Sequence, residues 1–367
     1  MRAERHYLDC NATAPLRPEA RRAMLAAAER GGNPSSVHAE GRAARAILDM
    51  ARGQVAALAG LPPSSVHFTS GGTEANNWAL SLTDRQVLAA AVSHDSVLAV
   101  DGVGTLETVS NGLLDPEVLE TRLKTSNVGL LSVMAVNNET GVIQPLEDIA
   151  EICRAHGVLL HVDAVQAPGK LDLAPIAAQA DVLSLSAHKL GGPAGCGALL
   201  VRPGLDPVPL IRGGGQEARR RAGTENLIGI AGFGAAAGAV AVQGSAEVAR
   251  ILALRDALEA QLRAFCPETQ VFGADVQRAA NTTCIRMPGV PAETQVMALD
   301  LAGVAVSAGS ACSSGKVTPS HVLIAMGCGE EAAGEAIRIS LGWATTDADV
   351  TACAAAWQAL WDRKKAA

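Results

Sequence analysis

Along most of this chain, short unbroken apolar runs alternate with stretches in which apolar residues recur every three or four positions. The unbroken runs are Val66-His67-Phe68-Thr69, Val87 to Val92, Val128 to Val136, Val158 to Val162 and Val182 to Ser186. They predict strands buried on both faces. The periodic stretches predict helices with clear punctuation. One starts at Pro18 and stops at Gly31-Gly32; the next follows Asn33-Pro34-Ser35-Ser36, turns Ile47, Leu48, Val55 and Leu58 inward, and stops at Gly60. Thr73 to Leu80 and Pro145 to His156 predict two more, the second closed by Gly157. Strand and helix in alternation specify an α/β fold with a mostly parallel sheet flanked by helices.

After about Gly244 the pattern changes. A long helix, Glu247 to Phe265, leads into shorter segments: Asn281 to Met287, Glu293 to Asp300, Gly303 to Val306, Pro319 to Met326 and Ala336 to Leu341. These predict a smaller α/β domain. The division is then a large domain over residues 15–244 and a small domain made of 1–14 and 245–367. The most apolar run, Leu227 to Val242, is largely Gly and Ala and shorter than a usual membrane span, so it predicts a buried helix.

Composition narrows the picture. Hydrophobic residues make up 49% of 367, yet aromatics only 2%. The core must therefore be built from Ala, Val, Leu and Ile. A net charge of −7 argues against a nucleic-acid surface, and Arg219-Arg220-Arg221 beside Gly223-Thr224 reads as a phosphate or interface segment. No apolar signal core follows Met1 to His6, so a cytoplasmic protein off the membrane is expected. The eight cysteines include no Cys-x-x-Cys pair, which predicts neither a metal site nor a disulfide framework. Cys153, Cys284 and Cys353 sit among apolar residues and read as buried filler.

In open α/β sheets, ligands collect beyond the carboxyl ends of the strands. After Phe68 come Ser70-Gly71-Gly72-Thr73-Glu74, opening a helix; after Val92 comes His94; after Val136 come Asn137-Asn138-Glu139-Thr140-Gly141; after Val162 come Asp163 and Gln166; after Ser186 come His188 and Lys189. Phosphate donors, a ring for stacking, amides, a carboxylate and an amine are the parts of a pyridoxal 5'-phosphate (PLP) site. In that reading Lys189 forms the Schiff base and moves the Cα proton. Asp163 keeps the pyridine nitrogen protonated, and Gln166 bonds the ring phenolate. His94 stacks on the ring and exchanges protons with substrate. Gly72, Thr73, Ser186 and His188 hold phosphate.

These residues carry a resemblance. The chain resembles the cysteine desulfurases, the NifS/IscS-like branch of the class V aminotransferase group of fold-type I PLP enzymes. The matching motifs are Tyr7-Leu8-Asp9 with Asn11-Ala12-Thr13, Gly32 to His38, Thr69 to Asn76, Asn137 to Gly141, His161 to Gln166, Leu183 to Lys189, Arg221 to Asn226, Ser310 to Gly315, Pro319 to Leu323 and Ile337 to Gly342. The resemblance implies a homodimer in which Thr224 reaches the partner's cofactor phosphate. It also implies that Asn138 contacts cofactor or substrate, that Asn33 and Arg338 bind substrate, and that L-cysteine is the substrate. The chain departs from the usual family pattern at Cys10, Pro15 and Trp343.

PLP alone does not choose a reaction, and the choice is expected to fall to Cys312. It lies in Ser307 to Lys316, a run of small residues that predicts a mobile loop with no apolar nest for a structural thiol. A Cys312 thiolate can attack the substrate sulfur, leaving alanine and a persulfide. That sulfur would pass to an acceptor protein, by the family's habit an iron–sulfur scaffold. A selenocysteine lyase, another class V aminotransferase, or a non-catalytic sulfur-trafficking scaffold partner would share much of this sequence.

Overall fold

A computed structural model describes residues 5–309 and 318–366. Among them the chain runs β1 (His6–Tyr7), α1 (Pro18–Arg30), α2 (Ala39–Leu58), β2 (Val66–Thr69), α3 (Gly72–Leu80), β3 (Gln86–Ala90), α4 (Asp95–Leu98) and β4 (Val103–Leu106). It continues through α5 (Pro116–Thr125), β5 (Val128–Met134), α6 (Leu146–His156), β6 (Leu159–Asp163), α7 (Leu173–Gln179), β7 (Val182–Ser186) and β8 (Gly197–Val201). After α8 (Leu227–Phe265) come β9 (Gln270–Val271), β10 (Thr282–Arg286), α9 (Ala292–Leu301), β11 (Val304–Ala305) and β12 (Ser307–Ala308). The last elements are α10 (His321–Ala325), α11 (Gly329–Gly334), β13 (Ala336–Ser340) and α12 (Asp347–Ala366).

The main sheet has the order β2-β8-β7-β6-β5-β3-β4 among the described residues. β4, β3, β5, β6 and β7 pair in parallel. β8 is antiparallel to both β7 and β2, so β2 runs the same way as the parallel set. The carboxyl ends of β2, β3, β5, β6 and β7 therefore share one edge. Burial explains the unbroken apolar runs: all seven residues of β5 are buried, as a sheet covered on both faces requires. α6 shows how its helix is bounded. Glu147 and Asp148 occupy its first turn, Arg154 and His156 its last, and Gly157 ends it at φ +62°, matching the helix dipole and the left-handed cap.

Two findings differ from the sequence reading. β8 was not anticipated: its run Gly197-Ala-Leu-Leu-Val follows a glycine-rich turn, and an apolar run carries no information about strand direction. α8 is one continuous helix across Gly244. Its first half packs Leu227, Ile230, Phe233 and Val240 into the core of the main sheet. Its second half packs Ile251, Leu254, Leu258 and Leu262 into a second core with Leu8, Ile285, Ile337 and Trp357. Gln243 and Ser245 between them are exposed. The change of pattern near Gly244 is thus a change in what the helix packs against rather than a helix end. α8 is long and apolar enough to cross a membrane by length and composition, but most of its apolar window is buried inside the protein.

The second core lies under an antiparallel sheet of order β12-β13-β10-β9. The N-terminal segment joins it, because β1 pairs in parallel with β11 and Asp9 bridges to Ser340. The three departures from the family pattern also meet here. Cys10 Sγ sits 2.5 Å from where a Cβ on Gly342 would lie, and Trp343 Nε1 donates to the Pro15 carbonyl at 2.8 Å.

Candidate active site

A cavity of about 360 Å³ opens at the shared strand edge. Gly72, Thr73, His94, Asn138, Asp163, Gln166, Ser186, His188, Lys189 and Arg338 all line it. These residues come from five strand ends of the main sheet and from β13. Asn33 and Thr224 are exposed and do not line it; Asn33 Oδ1 instead accepts from Ser35 N at 2.9 Å. Cys312 lies outside the described residues. Gly309 on one side of that segment and His321 on the other both line the cavity.

The turn from β2 into α3 is tightly packed at Gly72 and against Gly197. A Cβ on Gly72 would lie 2.8 Å from Val165 Cγ2, and one on Gly197 would lie 2.7 Å from the Gly71 Cα. The start of α3 leaves backbone N–H groups without intrahelical partners, facing a cavity that also holds the Ser186 and His188 positions. Glu74 braces this turn. It accepts from Ser70 N at 2.8 Å and from Arg221 at 2.8 and 3.1 Å. Those bonds to the turn and to Arg221 hold its carboxyl below the usual carboxylate range despite burial.

Asp163 ends β6 and is 3% exposed. Its Oδ2 accepts from Asn76 Nδ2 at 2.8 Å and its Oδ1 from Val165 N at 3.1 Å. Two donors fix the orientation of the carboxylate. His161 lies two residues earlier on the same face, fully buried between Ser132 Oγ (2.8 Å) and Ser184 Oγ (2.9 Å). Burial pushes its imidazole down to about 4, against a small opposing pull from Asp163.

Lys189 Nζ donates to the Asn11 carbonyl at 2.6 Å and the Ala12 carbonyl at 3.0 Å. His188 beside it bonds Thr13 Oγ1 through Nδ1 at 3.0 Å; burial and the neighbouring lysine push it down to about 4, so it is neutral. His94 Nδ1 accepts from Ser96 N at 3.0 Å, which leaves Nε2 as the nitrogen that can donate into the cavity. Arg338 pairs with Asp9 Oδ1 through Nη2 at 2.7 Å and donates to the Asn138 carbonyl through Nη1 at 3.1 Å. Its Nε is buried without a hydrogen-bond partner among the described residues. Arg338 lines the cavity, and its planar guanidinium is the kind of group that pairs with a carboxylate.

Three residues with clear structural roles receive none from the sequence alone. Asn76 anchors Asp163; its position four residues after Gly72, facing the same edge, was the available signal. Asn11 ties Lys189, Gln166 and Asn138 together, through bonds described below. Lys170 is buried, which its sequence context (Pro168-Gly169-Lys170 in a turn) gave no way to tell.

The seven cysteines among the described residues are not paired with each other. Cys153, Cys284 and Cys353 are buried, as filler residues should be. Burial pushes Cys10, Cys153, Cys196 and Cys353 up to about 12, Cys266 to about 11, and Cys284 and Cys328 upward. None of the seven lines the cavity, and thiols held protonated are poor nucleophiles.

The class-V aminotransferase profile matches residues 6–353. The chain is 43% identical to a cysteine desulfurase of Cereibacter sphaeroides over 95% of this chain and 93% of that protein. It is 37% identical to the cysteine desulfurase IscS of Methanosarcina thermophila over 94% and 89%. Among solved structures, a NifS-like protein from Rickettsia africae superposes with a TM-score of 0.91 at 34% identity, covering 98% of this chain and all of that one. A chain that matches these proteins over nearly its whole length belongs to the class-V aminotransferase family, among its cysteine desulfurases.

Proposed function

We propose that the protein is a PLP-dependent cysteine desulfurase that converts L-cysteine to L-alanine and keeps the sulfur on Cys312 as a persulfide. The observation that carries this reading is one cavity holding a buried, doubly bonded carboxylate (Asp163), an amine (Lys189), an arginine with an unsatisfied donor (Arg338) and a glycine-lined helix start. These fit PLP: Asp163 for the ring nitrogen, Lys189 for the aldehyde, and Gly72, Thr73, Ser186 and His188 for the phosphate. His94 and Gln166 would serve the ring face and ring oxygen.

When bound, PLP supplies an electron sink for the bonds of the substrate Cα. The protein's own groups do the rest. Arg338 and Asn138 hold and orient the substrate carboxylate. Lys189 takes the proton from the substrate Cα and returns protons to the product. The Cys312 thiolate attacks the substrate sulfur; the substrate C–S bond breaks, a new S–S bond forms, and the carbon skeleton leaves as alanine. No external oxidant is needed, since cysteine plus thiol gives alanine plus persulfide.

The reading extends to assembly. Residues 15–244 form the PLP-binding unit, and residues 1–14 with 245–367 form the unit carrying Cys312. A homodimer would bring Asn33 and Thr224 to the partner's cavity. Exposed apolar side chains flank both segments, Val37 at 88% and Val208, Leu210, Ile211 and Ile228 at 40–55%, as a docking face would require. The acceptor is a protein that takes a persulfide sulfur, and the reading places it in iron–sulfur cluster assembly. A reducing, cytoplasmic setting suits the unpaired cysteines.

The test is incubation of the PLP-loaded protein with L-cysteine, measuring alanine and the mass of Cys312. Wild type should yield alanine and a persulfide at Cys312. Cys312→Ser should stay yellow and yield no alanine, and Lys189→Ala should lose the absorption of protein-bound PLP. Normal turnover by Cys312→Ser would overturn the assignment.

A further inference from the structure

Lys170 is a buried lysine, 7% exposed, and belongs to no part of the mechanism above. It follows β6 by a turn, four residues beyond Gln166, with its ammonium behind the cavity wall. Nζ donates to Asn11 Oδ1 at 2.9 Å and makes a very short contact with Gln166 Oε1. Gln166 Nε2 in turn donates to the Asn11 carbonyl at 3.0 Å. That same carbonyl receives Lys189 Nζ. Asn11 is held from its other side by Asn281 Nδ2 at 2.9 Å and donates through Nδ2 to Thr282 Oγ1 and to the Asn138 carbonyl.

An ammonium group can only donate. Whatever Lys170 faces must turn an acceptor toward it. For a glutamine this settles the amide: the oxygen points back to Lys170 and the NH₂ group points to Asn11 and the cavity. Without Lys170 the two ends of the amide would be nearly interchangeable in shape.

We propose that Lys170 is a positioning residue for the PLP site: it fixes the Gln166 amide with its NH₂ group toward the cofactor ring oxygen, and with Asn11 it sets the carbonyl that receives Lys189. The role rests on the PLP reading of the cavity. Burial first, and then Lys189, push the Lys170 ammonium down to about 7. The other groups that face it are Cys10 and Arg338, which act in opposite directions. Against burial and these neighbouring cations, the amide oxygens of Asn11 and Gln166 are the acceptors that favour the ammonium form.

The test uses PLP-loaded protein without substrate and reads the absorption band of protein-bound PLP against pH. A hydrogen bond donated to the ring oxygen stabilises that oxygen's charge and favours proton loss at the neighbouring nitrogen. Lys170→Met should therefore move the band midpoint up by about one pH unit, in the same direction as Gln166→Ala. Added to Gln166→Ala, it should move the midpoint little further. Lys170→Gln keeps a donor for Gln166 without the charge and should lie closer to wild type than Lys170→Met. A midpoint unchanged by Lys170→Met, an equal shift in the Gln166→Ala background, or equal shifts for Met and Gln would overturn the role. A wild-type protein that takes up no PLP would overturn the cofactor reading itself, and this role with it.

Discussion

Arg338 and Asp9 form a 2.7 Å ion pair at the cavity wall, with side chains only 6% and 19% exposed. A substrate carboxylate must share this guanidinium with Asp9 or displace it. A hydrogen bond to a charged group is worth about 1.5–3 kcal/mol, and lysine cannot reproduce the planar fork. Arg338→Lys should therefore raise the KM for L-cysteine about 10- to 100-fold while the protein still takes up PLP. Asp9→Asn should move KM less. A KM within twofold of wild type in Arg338→Lys would remove Arg338 from the substrate site.

Asn76 should matter through Asp163 rather than through contact with substrate. Its Nδ2 bonds both Asp163 Oδ2 and Ser96 Oγ at 2.8 Å. Asn76→Ala leaves the buried carboxylate with one donor fewer, which should weaken PLP retention about tenfold or more. Equilibrium dialysis of PLP against the variant measures this. Retention equal to wild type would mean that the Val165 N–H alone suffices to hold the carboxylate.

His161 links stability to pH. Folded, it stays neutral down to about 4, whereas an exposed histidine takes a proton near 6.5. Across that window the unfolded chain binds more protons, so stability rises with pH and is lost as pH falls from about 6.5 toward 4. For a fully buried ring the loss is on the order of 3 kcal/mol. Urea unfolding at a series of pH values should show the fall, and His161→Gln should flatten it. An equal slope in the variant would assign the effect to other groups.

The pair between Arg17 and Glu247 is a fourth point of leverage. It is 2.6 Å long with side chains 4% and 11% exposed, and Arg17 Nε also donates to the Leu190 carbonyl at 3.0 Å. The pair therefore ties α8 to the residue after Lys189. Glu247→Gln should cost about 3 kcal/mol by stranding a buried guanidinium. Denaturant titration checks this, and a loss under 1 kcal/mol would show that solvent or Gln243 replaces the partner.

Much of this was legible in the sequence, and what was legible shares a cause. Val66–Thr69, Val128–Met134 and Val182–Ser186 are buried on both faces, so their apolar runs are unbroken and their ends are marked by the polar groups that follow. Asp163 and Lys189 stand at such ends, which is why the cavity could be assembled without coordinates. Illegible features depend on contacts between distant segments. Little local to Lys170 distinguishes it from a solvated lysine, because its partner Asn11 comes from the distant N-terminal segment, and Gln166, four residues earlier, does not by itself bury it. The reversed direction of β8 is likewise fixed by its neighbours rather than by its own five residues. The role of Cys312 remains legible only in sequence, as it lies outside the described residues.

The place of β8 between β2 and β7 has a consequence for how the protein is made. Among the described residues, β2 joins the main sheet only through β8. As the chain leaves the ribosome, Val66–Thr69 is made early but has no neighbour to pair with until Gly197–Val201 emerges. Such non-local pairing is slow and late. The turn at Gly71-Gly72, wedged against Gly197, cannot take its shape before then. In order of synthesis the Gly71-Gly72 end of the cavity comes first; in order of assembly it follows the strands that carry Asp163 and Lys189.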